Sequence, residues 1–303
     1  MELQTGPPGS VRYLASINGR LCDLADAAIP VTDDGLLRGD GCFEYFRVYL
    51  GRPFLLPAHL ERMERSCRVL RLPFPRAGIE ADIAALLAAM CADGKGDVSY
   101  DVRIVLTRGG NRVVLTHPLL ASLDVVTLAL VTDLPRPCLI GAKTISYAAN
   151  MLAQRLARER GFDEALLVSP DGRVLEAQTG AVFWADEDGA VYTPPLNEGV
   201  LDSITRRLLR QRLSIDERSC HTSDILAAAE VFLASSSWEV RPVRCVENHE
   251  FDDAPGAVTR EALKVIWREV EAHTELDLAP HFAQADSPEF VLAAWRDRHS
   301  GNG

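Results

Sequence analysis

Short apolar runs punctuated by turn residues fill the first third of the chain. VRYLASINGRLCDL sets Asn18-Gly19 between two strand-like runs, the pattern of a tight β-hairpin. After the loop VTDDGLLRGDG, the aromatic and β-branched residues of CFEYFRVYL predict a buried strand, turned back at Gly51-Arg52. Pro57 suits a first helical turn, and AHLERMERSCRVLRL follows with Leu60, Met63, Cys67 and Leu70 on one face. A further helix is predicted from about Ala77 to Cys91, then a Gly-Lys-Gly loop around Lys95. SYDVRIVLTRGG reads as strand and turn, and ASLDVVTLALVTDL as another strand.

LPRP at 134–137 is the predicted linker between an N-terminal domain, 1–133, and a C-terminal domain, 138–303. The second half should open with a strand around 138–147 and a helix from about Asn150 to Arg160, ended by Gly161. Hairpins follow with Asp171-Gly172 and Asp188-Gly189 at their tips. VLDSITRRLLRQRL reads as a loop capped by Ser203 that enters a helix. VFLASSSWEVRPV reads as one strand, and GAVTREALKVIWREVEAH as a closing helix, with an added tail from about residue 275. Strands joined mostly by hairpins predict α+β architecture in both halves rather than a doubly wound sheet.

Composition removes several classes of function. A formal charge of −11 repels nucleic acid and anionic membrane. No run approaches the roughly 20 apolar residues of a membrane span. The start of the chain has no charged segment followed by an apolar one, so a cytoplasmic location is expected. The seven cysteines are scattered without a CxxC pair, and the histidines form no HExxH, so no metal site is expected.

Candidate chemistry concentrates between Gly141 and Trp184. Among 32 basic residues, only Lys95, Lys143 and Lys264 are lysines. A guanidinium stays charged, whereas an amine can lose its proton and attack a carbonyl. Lys143, beside the small Gly141 and Ala142, is the candidate nucleophile; Lys95 and Lys264 read as surface residues. Glu176 ends RVLEA ahead of small residues and could pair with a protonated ring nitrogen, although strand-end carboxylates are commonly just solvated. Arg62 could clamp a phosphate bidentately or sit in an exposed salt bridge. The SITRR helix start offers N–H groups, with the Ser203 and Thr205 hydroxyls, to a phosphate, as capped helices generally do. Ser235-Ser236-Ser237 adds a hydroxyl or is a plain strand end.

Taken together, these segments form a recognisable order. DDGLLRGDGCFEYFRVYLGRPFLLPAHLERM, the Lys143 segment, EALLVSPDGRVLEAQTGAVFW, VYTPPLNEGVLDSITR and EVFLASSSWEVRPV follow one another as in the class IV aminotransferases. Over roughly residues 14 to 270 the chain resembles this family of fold type IV pyridoxal-phosphate enzymes. The resemblance implies a smaller N-terminal α/β sandwich-like domain and a larger C-terminal pseudo-barrel domain. It also implies a homodimer, with residues of one chain near the other's active site. Lys143 then matches the lysine that holds pyridoxal 5'-phosphate and acts as the base, Glu176 the partner of the pyridine nitrogen, and Arg62 a phosphate ligand. Ser203, Ile204 and Thr205 match the helix start that holds the phosphate. Ser236 matches a hydroxyl on its other side, and Ser237 lies beside the substrate.

Substrate choice varies within the family. The pattern is nearest to D-amino-acid aminotransferases, which hold the substrate carboxylate with a tyrosine before the GDG motif and an Arg-x-His pair after the TRG turn. Here Asn111-Arg112-Val113-Val114 follows that turn, with valine where histidine would stand. Ahead of Gly39-Asp40-Gly41 stand Leu36, Leu37 and Arg38, with no tyrosine. Arg38 and Arg112 are the candidate carboxylate ligands, with an ordinary surface position the alternative for each. Branched-chain enzymes carry tyrosines near the GDG motif that are missing here. Lys143-Thr144-Ile145-Ser146-Tyr147 departs from the Lys-x-x-Asn-Arg of aminodeoxychorismate lyases, and Glu44 stands where those often have threonine. The expected function is ping-pong transamination from a D-amino acid, with R-primary amines as further donors, to a keto acid such as pyruvate or 2-oxoglutarate. Branched-chain L-amino-acid transamination and aminodeoxychorismate lysis are the alternatives. A non-catalytic binder of a phosphorylated small molecule would need neither Lys143 nor Glu176.

Overall fold

A computed structural model of the chain describes residues 13–92, 99–119, 125–132 and 139–275. Lys95, the expected linker at 134–137, and the tail beyond 275 lie outside the described residues. The chain divides into two compact units, Met1–Leu120 with Ala142–Ser146, and Ala121–Gly141 with Tyr147–Gly303.

In the first unit, Asn18 and Gly19 take φ of 53° and 91° and turn β1 (Leu14–Ile17) into β2 (Arg20–Asp23). These left-handed conformations suit a two-residue hairpin. Helix α1 (Asp34–Arg38) is short and is capped by the Asp33 side chain. Strands β3 (Gly41–Tyr49) and β4 (Arg52–Pro53) precede helices α2 (Leu56–Leu70) and α3 (Arg76–Met90), then β5 (Tyr100–Thr107) and β6 (Arg112–His117). The six strands lie in the order β2-β1-β6-β5-β3-β4, all antiparallel. Alternate residues of β3 and β5 (Cys42, Phe46, Val48, Val102, Ile104 and Leu106) join the core formed with Leu60, Met63 and Cys67 of α2 and Ile79, Ile83, Leu86 and Met90 of α3. Strand β6 had no counterpart in the sequence reading.

The second unit holds β7 (Val126–Thr132), α4 (Ala148–Glu159), β8 (Glu164–Val168), β9 (Val174–Ala177), β10 (Ala181–Ala185) and β11 (Val191–Thr193). It continues with α5 (Ile204–Arg212), β12 (Ile215–Glu217), α6 (Thr222–Leu226), β13 (Glu230–Ser235), β14 (Glu239–Val246), β15 (His249–Glu250) and α7 (Ala257–Thr274). Gly161, at φ 86°, follows α4 as expected. The main strand order is β12-β11-β10-β13-β14-β7-β8-β9, with β15 on β14. Hairpins dominate, but β7 runs parallel to β8 and β14, and β11 parallel to β12. Strand β8 is buried throughout, with Ala165 and Leu167 packed with α4 alanines, and Leu166 and Val168 in the larger core around Trp184 and Trp238. No described helix is long and apolar enough to cross a membrane.

Two expected strands are corrected. Of the strand expected around 138–147, the described residues 139–147 form none: Thr144 alone bridges Cys42, with Phe43 N donating to Lys143 O and Ile145 N to Gly41 O, both at 3.0 Å. Strand β4 covers only Val48 and Tyr49 of β3, so the start of that edge is left for Lys143–Ile145 to meet. VFLASSSWEVRPV is two strands, not one, because the chain reverses between Ser235 and its partner Glu239. Glu239 takes φ 62°, and Ser236 and Ser237 fall in the turn.

Candidate active site

Lys143 is built into the first unit. Besides the bridge to β3, its N–H donates to Ser66 Oγ on α2 at 3.0 Å, and that hydroxyl donates to Arg62 O one turn back, at 3.1 Å. Backbone bonds from two elements therefore set where the side chain starts. Its Nζ lies 4.5 Å from the centre of the Phe43 ring, a cation–π contact at a half-buried amine.

Behind this segment, Glu44 of β3 is fully buried and accepts three hydrogen bonds. Arg62 Nε and Nη2 meet Oε1 and Oε2 at 2.8 and 2.7 Å, and His59 Nδ1 lies 2.8 Å from Oε2. Burial works to raise the Glu44 carboxyl, but the charge and hydrogen bonds of Arg62, with the His59 bond, outweigh it and hold it at about 2. Burial pushes His59 down, aided by the charges of Arg62 and Lys143 and opposed by Glu44. Neutral His59 thus donates through Nδ1. Arg62 does not sit in an exposed salt bridge. It is 3 % exposed, and its Nε/Nη2 edge is engaged by Glu44.

The opposite face of β3 and β5 carries a further cation. Arg103 lies 4.9 Å from the Phe43 ring centre and 5.2 Å from that of Tyr45, so Lys143 Nζ and the Arg103 guanidinium both abut Phe43. His117 stacks on Tyr45 at 6.0 Å, and burial and then the Arg103 charge push it down to about 4. Arg112 sits elsewhere, its Nε 2.9 Å from the buried Asp82 carboxylate on α3. Arg38 projects from the end of α1 with 74 % of its side chain exposed, 3.2 Å from Asp34. Asp33 ties the α1 start to the TRGGN turn by accepting from Gly35 N at 2.6 Å and Thr107 Oγ1 at 2.7 Å, and also from Asn111 Nδ2.

In the second unit, half-buried Glu176 on β9 accepts from Leu201 N at 3.0 Å. Ser203 caps α5 by accepting from Arg206 N at 3.3 Å, and its carbonyl takes the first helical bond, from Arg207 N at 3.0 Å. The amides of Ile204 and Thr205 precede that bond and point out of the helix start. Ser235 and Ser237 hydroxyls meet at 2.8 Å, while among the described residues Ser236 Oγ has no hydrogen-bond partner.

The model of the amino-transferase class IV family matches residues 41–246. The chain belongs to that family. This class IV aminotransferase is 28% identical to the aminodeoxychorismate lyase of Bacillus subtilis, covering 83% of this chain and 92% of the relative. It is 25% identical to a D-alanine aminotransferase of Staphylococcus epidermidis, covering 85% and 98%. Among solved structures, a fold IV-transaminase from Curtobacterium pusillum superposes with a TM-score of 0.74 at 26% identity, covering 83% and 97%. A mutant of the branched-chain amino acid aminotransferase from Thermobaculum terrenum gives 0.72 at 26%, covering 85% and 92%. The α+β architecture is that of fold type IV.

Class IV aminotransferases depend on pyridoxal phosphate. The groups described fit it: an amine for the aldehyde, outward amides and an unbonded hydroxyl for the phosphate, and a carboxylate for a protonated pyridine. Sequence reasoning missed Ser66, His59 and Arg103. The i, i+3, i+4, i+7 spacing of His59, Arg62, Met63 and Ser66 on the buried face of α2 was the available signal for the first two. The period-2 alternation of Phe43, Tyr45, Asp101 and Arg103 was the signal for the third.

Proposed function

We propose that this class IV aminotransferase moves an amino group from a D-amino acid to a keto acid such as pyruvate or 2-oxoglutarate. Lys143 Nζ and Arg103, each against the Phe43 ring, carry this reading, because an α-amino acid needs both an amine-exchanging group and a carboxylate-binding cation. The D-specific part rests on the sequence pattern around the TRG turn and on likeness to D-alanine aminotransferases. R-primary amines are further candidate donors. The chain acts as a cytoplasmic homodimer, and exposed Arg38 is the cation it would offer to a neighbouring subunit.

When bound, pyridoxal phosphate supplies an electrophilic aldehyde and a ring that accepts the electrons released as the substrate Cα–H bond breaks. Lys143 holds the cofactor at rest. Its Nζ would take the substrate Cα proton and give it up again as general acid–base. Glu176 keeps the pyridine nitrogen protonated. By the family resemblance, Arg62, the Ile204 and Thr205 amides, the Ser203 and Thr205 hydroxyls and Ser236 would hold the phosphate. Arg103 orients the substrate carboxylate, with Ser237 beside it; Arg112 is a second candidate whose charge is already met by Asp82.

The loaded enzyme is mixed with D-alanine or L-leucine without an acceptor, and the cofactor absorbance is followed. Conversion with D-alanine alone is the expected result. Conversion with L-leucine alone would move the enzyme to the branched-chain group. If neither reacts, aminodeoxychorismate becomes the substrate to assay. Lys143→Ala abolishes conversion and the absorbance of the lysine-linked cofactor.

A further inference from the structure

We propose that Glu44 is a positioning residue for the cofactor phosphate, acting through Arg62 by fixing the plane and direction of its guanidinium. The inference rests on the reading above that Arg62 meets the phosphate.

Glu44 touches Arg62 through two parallel bonds, Nε to Oε1 and Nη2 to Oε2. A two-point contact of this kind removes rotation about the end of the arginine side chain. Glu44 is itself held by His59, so the carboxylate has little freedom to follow the arginine. All three residues are at most 3 % exposed. An arginine so committed does not present its Nε/Nη2 fork to a ligand. A phosphate would be met by the edge of the guanidinium that Glu44 does not engage. The next turn of α2 carries Ser66, which accepts the Lys143 N–H and donates to Arg62 O, so the backbone of Arg62 is referenced to the backbone that carries the amine.

A purely structural ion pair would not distinguish ligands with and without a phosphate. Protein freed of cofactor is titrated with pyridoxal phosphate and with pyridoxal, for the parent, Glu44→Gln, Glu44→Asp, Arg62→Ala and the Glu44→Gln/Arg62→Ala double variant. Glu44→Asp keeps the charge, so it tests orientation even if Glu44→Gln fails to fold. The expected result is that both single Glu44 variants weaken pyridoxal phosphate about ten-fold, roughly 1.4 kcal/mol, with pyridoxal affinity unchanged. The double variant is expected to bind no more weakly than Arg62→Ala alone. Equal weakening of both ligands would make Glu44 structural only, and tighter phosphate binding in Glu44→Gln would show charge offset instead of positioning; either overturns the proposal. If Arg62→Ala weakens both ligands equally, the Arg62–phosphate reading itself has failed, and the proposal falls with it.

Discussion

Ser66 Oγ stands 3.0 Å from the backbone nitrogen of Lys143 and accepts its N–H. A helix residue thereby holds the main chain of the candidate nucleophile, 77 positions along the sequence. Replacing Ser66 with alanine removes the acceptor and costs about 1 kcal/mol of stability. Cofactor binding should weaken by more than that stability loss accounts for. A melting curve with a cofactor titration on the same variant checks both; a stability change with unaltered binding would mean that this bond does not place Lys143.

Acid stability should fall in two stages. His117 and His59 titrate lower in the folded chain than their ordinary 6.5, so the stability they add is full above that value and is lost as pH falls toward their folded values, about 4 for His117. Glu44, shifted from an ordinary 4.5 to about 2, adds stability that is full above 4.5 and disappears toward 2. Denaturant midpoints from pH 7 to 2.5 should show both stages. His117→Asn should shrink the upper stage, leaving the His59 part of it and the lower stage in place.

Asp33 gathers donors from Gly35, Thr107 and Asn111 at a buried position. Asp33→Ala leaves these donors without their acceptor, and a loss of about 2–3 kcal/mol is expected. Equilibrium unfolding in urea measures it. Asp33→Asn retains an acceptor oxygen and should cost less.

Arg103 and Arg112 should separate by function. Arg103→Leu should raise KM for the amino donor about ten-fold or more, because a carboxylate loses its cation. Arg112→Leu should change KM less than about three-fold while lowering stability by about 1–3 kcal/mol, because Asp82 loses its partner. Steady-state kinetics and melting curves on the two variants decide the matter, and a larger KM effect at Arg112 would return the carboxylate role to it.

Local signals made most of the fold legible. Asn18-Gly19, Pro57, Gly161 and Ser203 each impose a backbone conformation or satisfy a specific backbone group, and each marks the element it was expected to mark. What stayed hidden depends on long-range pairing. Whether Lys143–Ile145 is a strand is decided by how much of the β3 edge is open, which is set by β4 and not by the segment itself. The reversal at Ser236-Ser237 carries no glycine or proline and relies on Glu239 in a left-handed conformation. For the candidate site, lysine rarity picked out Lys143 directly. Arg103 was hidden because its meaning comes from Phe43 on another strand.

Strand β3 is read from both sides at once. Cys42, Glu44, Phe46 and Val48 serve the helices, while Phe43, Tyr45, Arg47 and Tyr49 alternate with them on the other face. Deleting Cys42 or Phe43 while the start of the strand keeps its register would exchange the residues that follow, turning Glu44 out toward Arg103 and driving Arg47 into the apolar core. Point substitutions here have graded effects, whereas a change in length has none that are mild. Across relatives of this chain, this strand should therefore vary in letters but hardly ever in number of residues.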